Sequence, residues 1–218
     1  MKLSTRGAAK ASEFLKRNMT AVTAAVMLLS LIGYLIVDSA VFSTGCHELY
    51  DGVLRLHILA NSDTQQDQQL KLRVRDRILL EAEQMGLGEG CTNAEETAGQ
   101  ARRLLPKLVA AAQDELAKYG SSQTVSACVT RMYFNTRTYE GFTMPAGEYQ
   151  AVRFTIGEGR GHNWWCVLFP QMCLPPAFAE PEQPPQFSRA QLRVLSARPQ
   201  YEPRFALLEL LHRQEALS

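Results

Sequence analysis

The sequence predicts an α+β protein, a single two-layer domain with about four strands and helices on one face, behind an N-terminal membrane or signal helix. Three observations carry this. Residues 21–37 (AVTAAVMLLSLIGYLIV) hold no charge and follow Lys2, Arg6, Lys10, Lys16 and Arg17, with Glu13 as the one acid among them. Residues 65–119 show helical periodicity between capping residues and glycine stops. From Ser121 onward the pattern changes to alternating β-branched and aromatic runs separated by glycine and proline.

Taken in order, the apolar segment spans about 25 Å as a helix, against a bilayer core of roughly 30 Å. Its basic flank belongs in the cytoplasm, so everything after residue 40 is expected outside it. Cleavage after Ala40 would set Asp38 at a position that wants a small residue, yet a basic region before an apolar core also describes a signal. A retained anchor and a cleaved signal both stay open. A lipoprotein signal ending at Cys46 is disfavoured, because Ser43 stands where an aliphatic residue is wanted.

Residues 51–60 (DGVLRLHILA) alternate, with Leu54, Leu56 and Ile58 on one face and Val53, Arg55, His57 and Leu59 on the other. This reads as a strand with its aliphatic face inward and His57 solvated. Residues 61–64 (NSDT) are turn formers, and Ser62 with Gln65, or Asp63 with Gln66, has capping-box spacing. The helix that follows carries Leu70, Val74, Ile78, Ala82 and Met85 on one stripe, flanked by Lys71/Arg75 and Arg73/Arg77, and stops at Gly86. Thr92 with Glu95 opens a second helix that runs to Tyr119, which Pro106 should kink or split.

Strands are expected over residues 124–134, 148–157 and 163–169, with residues 135–147 as a long polar connection. The last two strands read as a hairpin closed by the glycine-rich residues 157–161. Residues 170–185 contain six of the ten prolines, and residues 201–216 read as an amphipathic helix. The domain plan is therefore a basic cytoplasmic region (1–20), an apolar span (21–42), an exported α+β domain (47–170), a proline-rich linker or lid (170–188) and a C-terminal helical segment packing on the domain (189–218).

Charge excludes some functions. The 23 basic and 22 acidic residues nearly balance, and beyond Ser39 there remain 18 basic against 20 acidic, so neither a nucleic-acid footprint nor a polycationic lipid-binding domain is present. The five cysteines form no CxxC pair, so no zinc ribbon, other metal site or cofactor is expected. The glycines of residues 86–91 follow a helix rather than a strand and lack a Lys-Ser/Thr, which removes a phosphate cradle.

The most informative stretch is residues 159–173 (GRGHNWWCVLFPQMC), with both tryptophans. His162 and Cys166 would share a strand face some 13 Å apart, too far for a nucleophile and its base unless His162 folds back. An exported thiol hydrolase or wall-active enzyme using Cys166 with a histidine is thus the alternative function. A Cys166–Cys173 disulfide is feasible across the intervening Pro170, as are unpaired thiols. Trp164 and Trp165 face opposite sides of a strand, so either both pack within a sheet covered on its two faces, or one enters the core while the other forms a partner anchor.

These residues carry a resemblance. Residues 54–63 (LRLHILANSD), 67–76 (DQQLKLRVRD), 145–149 (PAGEY) and 163–170 (NWWCVLFP) with Cys173 are similar, in order and spacing, to the blocks of the stage II sporulation protein R family. The similarity covers roughly residues 50 to 175. Asn135, before residues 136–139 (TRTY), stands where the family pattern wants proline, and Gln171-Met172 replaces a proline-rich pair, which loosens what the resemblance says of those loops.

The resemblance implies a non-enzymatic signal exported from the forespore into the intermembrane space of the sporulation septum. Its implied partner is the membrane-embedded aspartic protease of the sigma-E pathway, stage II sporulation protein GA, which processes pro-sigma E. No nucleic acid and no small-molecule substrate are implied. Candidate partner-binding residues are Asn61, Ser62, Asp63, Arg73, Arg77, Asn163, Trp164 and Trp165.

Overall fold

The structure, a computed structural model, describes residues 5–139, 142–170 and 187–197. The chain divides into two units, Met1–Thr44 and Gly45–Ser218. Helix α1 (Thr5–Gly52) makes up the described part of the first, and its last turns belong to the second. Within it Lys16–Gly52 is long and apolar enough to cross a membrane by length and composition, as a signal sequence near an N-terminus also can be. Its apolar side chains stand exposed, Met27 at 74% and Leu29 at 67%. The Ser30 hydroxyl donates back to the Val26 carbonyl at 2.8 Å, so even its polar side chain is satisfied without water.

The second unit is the α+β domain. After α1 come β1 (Leu54–Leu59), α2 (Gln65–Gln84), α3 (Ala94–Lys118), β2 (Val125–Phe134), β3 (Arg137–Tyr139), β4 (Phe142–Met144), β5 (Gly147–Ile156), β6 (Asn163–Phe169) and α4 (Arg189–Leu195). Four strands form a mixed sheet in the order β2-β5-β1-β6, and β3 pairs with β4 in a separate ribbon.

The core lies between α2, α3 and one face of that sheet. Strand alternation supplies Leu54, Leu56 and Ile58 from β1, Val152, Phe154 and Ile156 from β5, and Cys166 and Leu168 from β6. The helices answer with Leu70, Val74, Ile78 and Ala82 from α2, as the stripe predicts, and with Ala98, Ala101, Leu108, Ala112 and Leu116 from α3. Helix α3 continues unbroken through Pro106. The caps fall one or two residues later than the sequence suggests. Thr64 caps α2 by accepting from the Asp67 N–H, and Asn93 caps α3 by accepting from the Glu96 N–H. In each case the side chain nearest the first free amide wins.

Two further expectations are corrected. Residues 135–147 are not a plain connection, because β3 and β4 form a short hairpin there. More importantly, β5 and β6 do not pair with each other. Strand β1 lies between them, parallel to β5 and antiparallel to β6. Residues 157–162 cross the end of β1, where Arg160 N–H donates to the Asn61 carbonyl at 3.1 Å and Gly161 N–H to the Ala60 carbonyl at 2.9 Å. The uniformly aliphatic face of β1 is best buried by placing it centrally, with hydrogen-bonded neighbours on both sides.

Gly161 is required by this crossing, since a Cβ there would collide with the Ser62 backbone carbonyl. Gly161→Ala should therefore lower stability by about 2 kcal/mol. Gly99→Ala, inside α3 with open space around it, should instead raise stability by up to about 1 kcal/mol. Thermal midpoints of the full chain in non-ionic detergent check both; an unchanged midpoint for Gly161→Ala would remove the crossing argument.

The other sheet face is covered at one end. Tyr50 of α1 donates to the Ala146 carbonyl at 2.7 Å and packs edge-on against Tyr149, with centroids 5.0 Å apart. Helix α4 packs on β4, and its capping residue Ser188 bonds to Glu48. Under this cover lies Arg55, wholly buried, with its guanidinium 4.3 Å from the Phe134 ring and 5.0 Å from the Tyr149 ring. His57, expected in solvent, is 3% exposed because Trp165 stacks on its ring at 3.9 Å.

Candidate functional site

The turn after β1 and the crossing loop before β6 meet at one end of the sheet, held by a polar network. At its centre is Asp67, in the first turn of α2 and buried. Its carboxylate accepts from Asn61 Nδ2 at 2.9 Å, from the Ser62 hydroxyl at 2.5 Å and from Gln123 Nε2 at 2.7 Å. Burial alone would raise its pKa, but these hydrogen bonds together outweigh burial and hold it below the usual value.

Asp63 points the other way, toward the crossing loop. One of its oxygens accepts from the His162 backbone N–H at 2.6 Å and lies 2.5 Å from His162 Nδ1. The backbone hydrogen bond is the main reason its pKa is lowered. Lys71 closes the arrangement beneath, donating to the His162 carbonyl at 2.8 Å and to Gln68 Oε1 at 2.6 Å. Burial lowers the Lys71 pKa, partly opposed by Asp63. Asn61 Oδ1 accepts from the Glu158 N–H at 3.0 Å, so the loop is tied at both ends.

This places the sequence candidates. Asn61, Ser62 and Asp63 form one wall of the loop end, and Asn163 and Trp164 begin the strand that leaves the other. Asn163 is exposed, while Trp164 packs on the helix-side core beneath Arg75, whose guanidinium is 4.3 Å from its ring. Trp165 is half-buried on the opposite sheet face, against His57 and Phe134.

Arg73 and Arg77 are not brought here. Arg73 lies 4.1 Å over the Tyr119 ring, and Arg77 pairs with Glu81 at 2.7 Å. The other flank of the same helix, Lys71 and Arg75, faces the site. Helical spacing defines both flanks equally, and only the packing direction of α2 selects between them. Asp67 and His162 complete the network. Asp67 is signalled only by standing three residues after the true cap, Thr64.

His162 and Cys166 are not brought together. The His162 side chain is 78% exposed and tied to Asp63, whereas Cys166 is wholly buried among the core side chains facing the helices. No disulfide joins any two of the described cysteines, Cys46, Cys91, Cys128 and Cys166. Cys173, the expected partner of Cys166, lies outside the described residues, as does the expected helix over 201–216. Among the described residues, no three His, Cys, Asp or Glu side chains gather as a metal site.

Fold and site together define a class of protein, an α+β domain behind an apolar helix, with two separate sequence blocks tied into one loop end. The chain belongs to the stage II sporulation protein R family, whose sequence profile matches residues 50–178. That match includes every residue of the network just described. Stage II sporulation protein R of Bacillus subtilis (strain 168) is 42% identical over 123 residues, which cover 56% of this chain and 54% of that relative. The chain thus spans about half the length of this curated relative. No solved structure matches it.

Proposed function

We propose that this chain is an exported sporulation signal that activates a membrane-embedded aspartic protease by contact, leading to processing of pro-sigma E. The family supports a sporulation signalling role. The apolar helix is compatible with export, either as anchor or as signal. The observation that carries the contact reading is the Asp63–His162–Lys71 linkage. It fixes two blocks distant in sequence, residues 61–63 and 162–164, into one presented surface.

A rigid surface can switch a protease only by binding its active form more tightly than its inactive form. Each tenfold preference corresponds to about 1.4 kcal/mol. Fixing the loop end beforehand means that little ordering free energy is lost on contact.

The test is co-production of the full chain with the protease and pro-sigma E in a non-sporulating host. Processing that requires this chain is the expected result. Asp63→Ala combined with Asn163→Ala should reduce it about tenfold at unchanged protein level, a loss of contact free energy near 1.4 kcal/mol. Cys166→Ser should leave processing intact, whereas the thiol-enzyme alternative requires its loss. No processing with the wild-type chain would overturn the proposal.

A further inference from the structure

Among the described residues, the sheet face opposite the helices is covered only at one end, and the other half has a distinctive charge. Every strand residue turned to that face can be assigned from the pairing. Ser126 pairs across from Thr155, Cys128 from Arg153, His57 from Trp165 and Leu59 from Asn163. No aspartate or glutamate occurs among the inward or outward members of this face on β1, β2, β3, β5 or β6. Three arginines do. Arg153 is exposed and makes no ion pair with a described residue. Arg137 is exposed, with its guanidinium 5.8 Å from the Trp165 ring centre. Among the described residues, Arg55, buried behind them, donates to the Cys166 carbonyl and the Tyr139 hydroxyl, and its Nη1 has no hydrogen-bond partner.

Elsewhere Arg75, Arg77, Arg102, Arg131 and Arg160 are each matched to a nearby carboxylate, while on the helical layer Arg73 rests on Tyr119 and Arg103 is exposed. What sets the open face apart is that its arginines stand beside a tryptophan with no acid on the face. On the open face no carboxylate among the described residues pairs with Arg137 or Arg153, and the half-buried Trp165 lies beneath Arg137 and one strand beyond His57, the register partner of Arg153. Burial lowers the His57 pKa, opposed next by Asn163, with Arg153 lowering it by a lesser amount, so the positive character of the face comes from its arginines.

We propose that this open face, which carries Arg137, Trp165, His57 and Arg153, docks an acidic polypeptide segment of a protein partner. Carboxylates of the segment pair with the two exposed arginines, and its backbone or an apolar side chain lies over the Trp165 ring. Arginine and tryptophan are the residues that most often dominate interfaces, and unpaired like charge on one partner selects the opposite charge on the other. Assigning the segment to the protease rests on the function proposed above; the chemistry of the face does not.

The test uses the full chain in non-ionic detergent. Trp164→Phe leaves Trp165 as the single tryptophan, so its fluorescence reports this face. The probe is a glutamate-rich peptide, compared with a lysine-rich peptide of the same length. Saturable change with the acidic peptide, about tenfold tighter than with the basic one and weakened by salt, is expected. Arg137→Glu with Arg153→Glu should abolish that preference, while Arg102→Glu on the helical layer should leave it. Equal response to both peptides, or an acidic response that survives the double charge reversal, would overturn the proposal. So would equal binding to vesicles of anionic lipid, which would mark a membrane-facing surface instead. The peptide assay is independent of proteolytic processing. Failure of processing with intact peptide binding would therefore reject the proposed function and keep the docking face.

Discussion

Replacing Arg55 with alanine should destabilise the domain by about 4 kcal/mol, in the range of large-to-small substitutions in a packed core. The side chain fills the space between Phe134, Tyr149 and Tyr139, and its Nε and Nη2 donate to the Cys166 carbonyl at 3.0 Å and the Tyr139 hydroxyl at 2.7 Å. Truncation opens a cavity and removes both donors at once. Arg55→Met should behave differently. It keeps most of the volume and removes a buried cation that has no carboxylate partner among the described residues, a change that is often neutral or favourable. The expected stability is within about 1 kcal/mol of the parent. Urea unfolding of the full chain in detergent checks the pair. If methionine costs as much as alanine, the guanidinium's interactions rather than its volume hold the covered end of the sheet together.

Asp67 should show the second large effect. Asp67→Ala strands three side-chain donors, from Asn61, Ser62 and Gln123, and should cost about 3 kcal/mol. It should also loosen the turn that carries Asp63, so pro-sigma processing should fall further than stability alone explains.

The pH dependence has a definite sign. Because the folded-state pKa of Asp67 is lowered, its contribution is fully present above the unfolded value near 3.8 and is lost as pH falls through the folded value. The stability difference between wild type and Asp67→Asn should therefore shrink as pH drops below about 4. Taking the difference cancels Asp63 and Glu96, whose lowered pKa values give the same trend in both proteins. A constant difference across that range would show that the Asp67 charge is not what organises the turn.

The helix-side layer was legible in the sequence because its signals are local. A stripe at helical spacing on α2, alternation on β1 and a glycine after each helix name the elements and the faces they bury. They also name the apolar N-terminal helix and the family blocks. The opposite face was not legible in the same way. Arg55 and His57 occupy the polar register of an alternating strand, a pattern identical to that of a solvated face. They are buried because β3 and β4 pair as a ribbon and Trp165 arrives on β6, and neither event leaves a mark near residue 55.

The same distinction separates the strands from their order. A short glycine-rich turn between β5 and β6 fits a hairpin and fits a step over a third strand. Backbone hydrogen bonds carry no residue identity, so alternation fixes which face a strand buries but not which neighbour it joins. The amino-acid sequence alone therefore determined α2, α3 and the four main strands, the faces they turn to the helix-side core, and the family. Tertiary structure decided that β1 sits at the centre, that Lys71 and Arg75 rather than Arg73 and Arg77 meet the loop end, and that residues 61–63 and 162–164 share one surface. Those outcomes depend on contacts between segments about a hundred residues apart.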